Sequence, residues 1–370
     1  MTTEATAIYS DLAIPPGEYL EEVIKELGMT KDELARRMNR PASKLSPIFK
    51  GDKAITPDTA IQLEKVLGVP AHVWTGLESE YRLTMARQKE KKGREQLKDE
   101  LNLVTKYCYN DLARLELVPK HTKLVEKVLA LQRYFGVATL SAIPELKQYQ
   151  PTFRCKGTEK RKPSPHAVSS WLRIGELKAI QTTCAPFSTI SLTSLLPQLR
   201  HMTRLSPEEF LRDLHKKLAE AGIVFVLVPH LPKTYVHGAT FGVGKNKAVL
   251  MMTMRGKWAD IFWFSLFHEL GHILLHNYQM IFIESEDINP DFLTQETEAD
   301  HFAADTLIPP EEYGKFLSGG SFYPESIQQF ADKIGIDAGI VVGRLQHEGH
   351  IQVSWHNGLR HRYEWKGHSH

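Results

Sequence analysis

The sequence predicts a multidomain protein in which an all-α domain is followed by an α+β domain. Its 370 residues exceed the usual length of one domain, and its 42% hydrophobic and 24% charged residues are typical of a globular protein. Helix signals dominate residues 17–88, whereas apolar runs rich in β-branched residues begin only at residue 223. The two ends of the chain therefore predict different kinds of secondary structure.

Composition and charge exclude several classes of protein. The net charge of +2 is too small for a nucleic-acid coat or a membrane-surface protein, so any basic patch must be local. The three cysteines (Cys108, Cys155 and Cys184) form no CxxC pair, which argues against a disulfide framework. The N-terminus lacks a signal-peptide pattern, and the longest apolar run, IFWFSLF, is too short to span a bilayer. We therefore expect a soluble, cytoplasmic protein without a membrane partner.

Residues 17–88 carry the signals of several short helices. Thr30 and Glu33 have the spacing of a capping box, in which each side chain accepts a hydrogen bond from the backbone of the other residue. Three glycines are placed where helices should end: Gly28, Gly51 and Gly68. Five helices joined by tight turns over about seventy residues are typical of a helix-turn-helix bundle.

A helical connector and middle region is expected over residues 89–164. Its first part alternates acidic and basic residues and should be a solvated helix. Further on, Leu124, Val128 and Leu131 are spaced for one buried helix face. The basic, proline-bounded segment 153–165 interrupts this pattern and should be an exposed loop, with contact to DNA as the alternative.

The α+β region begins with three short apolar segments that are rich in β-branched and aromatic residues. They predict strands at 223–230, 234–241 and 247–254. The helix that contains FWFSLFHELGHILLH follows the third strand directly. Beyond it, we expect a loop, a helix at 294–308, two helices between 324 and 347, and a short β-like tail.

The apolar helix contains HELGH at residues 268–272, so that His268 and His272 are four residues apart. Positions i and i+4 lie on one helix face about 6 Å apart, so both imidazoles can reach one metal ion. Glu269 is then placed to act as a general base toward a metal-activated water. His276 lies about 12 Å along the helix axis from the first histidine, too far to share the ion, and is interpreted as a polar helix cap. The alternative is a helix whose histidines only cap it or form hydrogen bonds.

The candidate third ligand is Glu296, in the predicted helix TQETEADHFAADTL. Glu296 lies seven residues before Ala303 and shares its buried face, whereas Glu298 is rotated toward the margin. Asp300, on the same side as Glu296, can accept the second N–H of a histidine ligand and fix its orientation. Two histidines, a glutamate and an open position form a catalytic zinc arrangement. The alternative for Glu296 is a solvated surface acid.

Two motifs stand out in the C-terminal half: HELGHILLH at 268–276 and ETEADHFAADTLIPP at 296–310. Together they resemble the motif pair of the ImmA/IrrE family of zinc metallopeptidases, and RGKWADIFWFSLF, VPHLPKTYVHGATF and GIVVGRLQHEGHI are similar to members with an N-terminal DNA-binding domain. The resemblance implies an α+β zincin-like metallopeptidase domain over residues 165–370. It also implies Zn²⁺ bound by His268, His272 and Glu296, with Glu269 as the general base.

Residues 1–88 contain the segments PPGEYLEEVIKELGMTKDELARRMN, GDKAITPDTAIQLEKVLGVPAHVW and LESEYRLTMAR. They resemble the HigA-like antitoxins of the XRE family of helix-turn-helix repressors, which implies a DNA-binding domain. That family reads DNA with its third helix, here Ala42 to Lys50, although Pro47 within it costs a helical hydrogen bond. We expect a homodimer on a two-fold operator, with a protein-docking module as the alternative. The candidate DNA contacts are Arg40, Ser43, Lys44, Ser46, Lys50 and Lys53.

The two resemblances predict a DNA-binding transcriptional regulator fused to a zinc metalloendopeptidase that cleaves a helix-turn-helix repressor or antitoxin. Self-cleavage in the charged connector 88–100, and cover of the zinc by the loop 277–293, belong to the same hypothesis. The alternative is a non-proteolytic transcription factor or antitoxin whose zincin-like domain senses a ligand or holds a partner. Three residues near the motif segments are candidate transition-state stabilisers: Tyr235, His237 and Arg344.

Overall fold

The computed structural model describes residues 12–92, 97–150, 163–253, 258–285 and 293–363. The chain divides into two compact units, Met1–Asp99 and Glu100–His370. From Glu100 onward, the middle region that the sequence sets apart therefore lies in the same unit as the α+β region. No described helix combines the length and the apolar character that a bilayer crossing requires.

The first unit is built from five helices over residues 12–92, in agreement with the predicted bundle. They are α1 (Pro16–Glu26), α2 (Lys31–Arg37), α3 (Ala42–Phe49), α4 (Pro57–Leu67) and α5 (Ala71–Lys92). Short helices are marginal in isolation, so their stability depends on the apolar faces that they bury against each other. The shared core includes side chains that are at most 2% exposed: Leu20, Leu34, Leu45, Leu63 and Trp74.

The ends of these helices follow the predicted signals with two differences. The three predicted glycines have left-handed φ angles of 61° to 75°, a conformation that glycine adopts without steric cost. The hydroxyl of Thr30 accepts the backbone N–H of Glu33 (3.2 Å), but the carboxylate of Glu33 pairs with Arg37, so only half of the capping box forms. Helix α5 continues to Lys92, so the predicted connector begins as part of this helix.

Between residue 97 and the sheet, the described residues are mostly helical, as predicted. The helices are α6 (Lys98–Leu101), α7 (Leu103–Lys106), α8 (Tyr109–Arg114), α9 (Leu124–Phe135), α10 (Pro165–Gln181), α11 (Thr189–His201) and α12 (Pro207–Glu220). The hydroxyl of Ser170 donates to the carbonyl of Tyr107 (2.9 Å), and the hydroxyl of Tyr134 donates to the carbonyl of Ser170 (3.0 Å). These bonds fasten the middle helices to α10. Leu124 departs from the prediction and is 50% exposed, because it is the first residue of α9.

A mixed four-stranded sheet has the order β1-β3-β2-β4, with β1 (Ile223–Val228) parallel to β3 (Lys247–Thr253). Strand β2 (Val236–Val243) runs antiparallel to β3 and to β4 (Phe282–Ser285). The first three strands lie where the sequence predicts them. The fourth strand lies in a segment that the sequence predicts as a loop. It is not predicted because four residues are too few to establish an alternating pattern. The β2–β4 register shifts between Val236 and Gly238, which places a bulge at His237.

Helices cover both faces of the sheet. Helix α10 packs closely on one face, where a Cβ added to Gly175 would lie 2.2 Å from the sulfur of Met251. On the other face, Leu250 packs into the same core as Phe210 of α12 and Trp263 of α13 (Ala259–Leu275). Over residues 293–363, which the structure describes, four α-helices follow β4: α14 (Leu293–Leu307), α15 (Pro310–Ser318), α16 (Pro324–Ile334) and α17 (Ala338–His347). Of these, the sequence does not predict α15.

The tail that follows α17 is not the short β element that the sequence predicts. In its described part it forms a 3-10 turn (Asn357–Leu359) and one isolated bridge between Arg362 and Trp258. The guanidinium of Arg360 donates to both carboxylate oxygens of Asp260, at 3.2 and 2.8 Å. These contacts hold the tail against the first turn of α13, so side-chain anchoring replaces the expected strand pairing.

We predict that Arg360→Ala destabilises the second unit by about 3–5 kcal/mol. Asp260 and Arg360 are 8% and 11% exposed, and removing one member of a buried ion pair leaves the other charge uncompensated. Urea unfolding measures the effect. Arg362→Ala is the matched control, because this exposed arginine also stacks on Trp258 (4.3 Å) but has no carboxylate partner among the described residues, and it should cost less than about 1 kcal/mol. Equal losses in the two variants would contradict the importance of the ion pair.

Candidate metal centre

Helix α13 presents two histidines on the side that faces α14. The Nε2 atoms of His268 and His272 are 3.0 Å apart, and both side chains are at most 3% exposed. Their four-residue spacing places them one turn apart, as predicted. The apolar residues of the same helix, among them Phe267 and Leu270, are fully buried in the core. The core therefore fixes the helix that carries both imidazoles.

Helix α14 adds a carboxylate to this pair. The Oε2 atom of Glu296 lies 3.2 Å from Nε2 of His268, and Oε1 lies 3.6 Å from Nε2 of His272. The three ligand atoms lie within 4.8 Å of each other, and no other such group of metal-binding side chains occurs in the described ranges. Tetrahedral zinc with bonds of about 2.0–2.1 Å separates its ligand atoms by about 3.3–3.4 Å. The observed separations of 3.0 to 3.6 Å therefore fit one zinc ion.

The protonation states of the cluster also suit a metal. Burial lowers the pKa of His272, which favours the neutral imidazole. For Glu296, burial acts to raise the pKa, but the neighbouring imidazoles of His268 and His272 outweigh it and lower the pKa to about 2. A neutral imidazole and an ionised carboxylate are the forms that bind a metal.

Close contact between α13 and α14 makes this convergence possible. A Cβ added to Gly271 would lie 3.0 Å from Cδ1 of Phe302 and 3.2 Å from Cα of Ala299. A larger residue at position 271 would therefore push the two helices apart. Ala299 and Ala303 are fully buried at this contact face, and the sequence predicts the burial of Ala303.

The outer nitrogens of both histidines have partners. Nδ1 of His268 lies 2.8 Å from Oδ1 of Asp300, the carboxylate that the sequence predicts in this role. Nδ1 of His272 lies 3.1 Å from Nδ1 of His276, and Nε2 of His276 lies 2.9 Å from Oε2 of Glu298. His276 is outside the ligand cluster, as predicted, but it is more than a helix cap.

Sequence reasoning missed Glu298 and Phe282. The helical spacing predicts that Glu298 lies at the margin of the buried helix face, yet its carboxylate contacts His276. The ring of Phe282 in β4 stacks on His272, with centroids 4.4 Å apart and planes at 15°. The regular spacing of His268, His272 and His276 could have indicated the contact between the last two. The contribution of Phe282 depends on strand pairing and left no local signal. Beyond residue 285, the loop predicted to cover the site lies outside the described residues until residue 293.

Glu269 is fully buried on the side of α13 that faces β2. A Cβ added to Gly238 would lie 2.3 Å from Oε1 of Glu269, so the carboxylate occupies the space that this glycine leaves. Tyr235 precedes β2 with a left-handed φ of 49°, and His237 is at the β-bulge beside Gly238. His237 therefore adjoins the glycine that faces Glu269, and Tyr235 lies three residues before that glycine.

Arg344, the third candidate stabiliser, is directed away from the cluster. Its Nη1 donates to the carbonyls of Ala304 (2.9 Å) and Ile308 (3.2 Å), and its Nε donates to Glu348 (2.9 Å). Ala304 is eight residues after Glu296, which corresponds to about 12 Å along a helix. The guanidinium thus caps the C-terminal end of α14, because the free carbonyls there attract a cation.

The candidate DNA contacts form an exposed face around α3 in the first unit. Ser43, Lys44, Ser46 and Lys50 are exposed, as is Lys53, whereas Leu45, Ile48 and Phe49 are buried. Arg40 differs from these residues: it is half-buried and donates to Thr59 Oγ1 (2.9 Å). Pro47 lies inside the helix, which begins at Ala42, and has no N–H to donate to Ser43. The predicted basic loop lies outside the described residues over 153–162.

Two family models match the chain. Residues 20–74 match the model described as helix-turn-helix, and residues 260–344 match the model described as IrrE N-terminal-like domain. The second match includes all three candidate metal ligands and Glu269. The first match includes α3 and the exposed face around it.

Curated proteins and solved structures are similar to the N-terminal part. Virulence-associated protein I of Dichelobacter nodosus is 36% identical over 77 residues, which cover 20% of this chain and 71% of that protein. The uncharacterized HTH-type transcriptional regulator YddM of Escherichia coli is 33% identical over 73 residues, which cover 20% and 78% of the respective chains.

Among solved structures, an addiction module antidote protein of the HigA family from Coxiella burnetii is 34% identical, with a TM-score of 0.21 and coverage of 23% of this chain and 92% of that chain. The Pseudomonas aeruginosa antitoxin HigA, solved with the higBA promoter, is 30% identical, with a TM-score of 0.22 and coverage of 24% and 95%. The two family models and the curated relatives together establish the family. The chain therefore belongs to the XRE-type helix-turn-helix family through its N-terminal domain and carries an IrrE-like peptidase-family domain in its C-terminal half.

Proposed function

We propose that this protein is a DNA-binding transcriptional regulator whose second domain is a zinc-dependent metalloendopeptidase. The observation that carries the enzymatic part is the convergence of His268, His272 and Glu296, with Glu269 next to the first ligand on the same helix. A purely structural zinc site closes its coordination with four protein ligands, whereas a catalytic site has three. The described cluster has three.

Zinc held by these three residues would supply Lewis-acid activation of water and of a peptide carbonyl. Glu269 then accepts the proton of the attacking water at a carboxylate oxygen and returns it to the leaving amine nitrogen. Tyr235 and His237 lie within three residues of Gly238, which faces Glu269, and either side chain offers a hydrogen-bond donor for the developing oxyanion. Burial of His272 lowers the pKa of its imidazole and so favours the neutral form.

We propose a helix-turn-helix repressor or antitoxin as the substrate. A regulator bound to an operator is at high effective concentration toward other proteins on the same DNA, because the encounter becomes intramolecular. Self-cleavage in the connector 88–100 is less favoured, since the chain is helical up to Lys92 and a peptidase needs an extended segment. A neighbouring repressor is therefore the first substrate to test.

The second candidate function is a regulator whose metal domain senses a ligand or holds a partner without proteolysis. The burial of the cluster favours this second function, because Glu269 is fully buried and the two histidines are at most 3% exposed. The site must open before a peptide can reach it and be cut, whereas a sensor does not require access for a peptide. The variant Glu269→Gln separates the two functions.

The first prediction from this site is a loss of zinc from His268→Ala, His272→Ala and Glu296→Ala. Each change removes one of three ligands, so zinc bound after dialysis should fall from about one ion per chain to nearly none. Mass spectrometry of metal content measures it. Asp305→Ala is the matched control, because this exposed carboxylate lies on α14 beyond the cluster and should leave zinc unchanged. Full zinc content in Glu296→Ala would refute the ligand assignment.

The second prediction concerns the general base. Glu269→Gln preserves shape and all three ligands, so zinc content should stay near one ion per chain while the cleavage rate falls about a hundredfold or more. The assay incubates the zinc-loaded protein with helix-turn-helix repressors encoded beside its gene and searches for one defined cut. Cleavage at the parent rate would exclude Glu269 as the base. Absence of any cut by either protein would favour the sensor.

The third prediction concerns DNA. Lys44→Ala and Lys50→Ala should each weaken operator binding by the full-length protein, because both lysines are exposed on or beside α3. Each lost phosphate contact should reduce the slope of log K against log salt by about 0.9. Lys89→Ala, near the end of α5, changes net charge equally and serves as the control. Salt-insensitive binding, or equal effects of all three variants, would favour the protein-docking alternative.

A further inference from the structure

We propose that His276 and Glu298 are positioning residues that set the tautomer of the ligand His272. This inference rests on the proposed zinc site and adds two residues that do not touch the ion. Their contacts form one continuous path from Oε2 of Glu298 through both nitrogens of His276 to Nδ1 of His272.

The direction of the hydrogen bonds follows from the chemistry of their ends. An ionised carboxylate only accepts hydrogen bonds, so Nε2 of His276 carries the proton that points at Glu298. In a neutral imidazole the other nitrogen is then an acceptor, so Nδ1 of His276 accepts from Nδ1–H of His272. Nε2 of His272 is left with a lone pair, and this atom faces His268 and Glu296 at 3.0 and 3.6 Å. The path therefore produces the tautomer that binds a metal.

The two ligand histidines reach their carboxylates in different ways. Nδ1 of His268 meets Asp300 directly, because this acid is four residues after Glu296 and lies on the same face of α14. Glu298 is only two residues after Glu296, which rotates it by about 200° around the helix. His276, at the end of α13, bridges the space between Glu298 and His272. Three acids at alternate positions of α14 therefore contact the same site. Glu296 is a ligand, whereas Asp300 contacts the outer nitrogen of His268 directly and Glu298 contacts that of His272 through His276.

Phe282 complements this pair by restricting the plane of the ring. Its stacking on His272, at 15° and 4.4 Å, hinders rotation of the imidazole, but it does not distinguish the two nitrogens. Hydrogen bonding makes that distinction. Side chains that orient metal-binding histidines in this way typically contribute a factor of about 10–100 to metal affinity.

The test measures the zinc affinity of the full-length protein by competition with a chromogenic chelator. Glu298→Ala and His276→Ala should each raise the Kd for zinc about 10- to 100-fold. The double variant should lose little more than either single variant, because both changes break the same path. Glu298→Gln should recover most of the affinity, since its amide oxygen can still accept from His276. Thermal unfolding of the metal-free proteins should remain near that of the parent.

Additional measurements separate failure of this inference from failure of the zinc site. Glu296→Ala provides the reference, because zinc retained by that variant would overturn the site itself. If Glu296→Ala loses zinc while Glu298→Ala and His276→Ala bind it as the parent does, only the positioning role is overturned. The positioning role is likewise overturned if both variants lower the melting temperature of the metal-free protein without changing the Kd. The absorption spectrum of the cobalt-substituted protein should also change in Glu298→Ala and return to that of the parent in Glu298→Gln.

Discussion

The candidate metal centre depends on the close approach of α13 and α14 at Gly271. The position that a Cβ would occupy there is 3.2 Å from Cα of Ala299, so the two backbones are nearly in contact. Because the helices are this close, Glu296 reaches both histidines with a short side chain. The same approach buries the cluster, and burial favours the neutral imidazole at His272. Geometry and protonation state at this site therefore have one common cause.

Such a site is stable only if the polar atoms around it are satisfied, because a buried polar group without a partner costs about 1–3 kcal/mol. Helix α14 meets this requirement with carboxylates at three alternate positions: Glu296, Glu298 and Asp300. The other end of α13 is held independently, by the contact of Arg360 with Asp260. Asp260 and His268 are eight residues apart, about 12 Å along the helix. Anchoring at both ends leaves the ligand-bearing turn little freedom to move, which is the preorganisation that a metal site requires.

The sequence predicts the parts of this arrangement that are local. Histidines four residues apart must share a helix face, and Glu296 and Asp300 obey the same rule, so spacing alone predicts both pairs. The contact between His276 and Glu298 depends on how two helices lie against each other, and the stacking of Phe282 depends on a strand of four residues. Arg344 shows that closeness in sequence can also mislead. It is near a motif in the chain, but its guanidinium binds the free carbonyls at the end of α14 and is directed away from the cluster.

The two domains solve different physical problems, and this difference explains why one is easier to predict in detail. The polar face around α3 is exposed, so Lys44 and Lys50 need no protein partner and their placement requires only an amphipathic helix. At the buried candidate metal centre the histidines and Glu296 compensate each other across two helices, so the cluster forms only when α13 and α14 are both in place. Loss of packing should therefore abolish metal binding before it abolishes DNA binding. A substitution at Gly271 tests this order, because Gly271→Val should separate α13 from α14 and release zinc, while operator binding by the first unit remains.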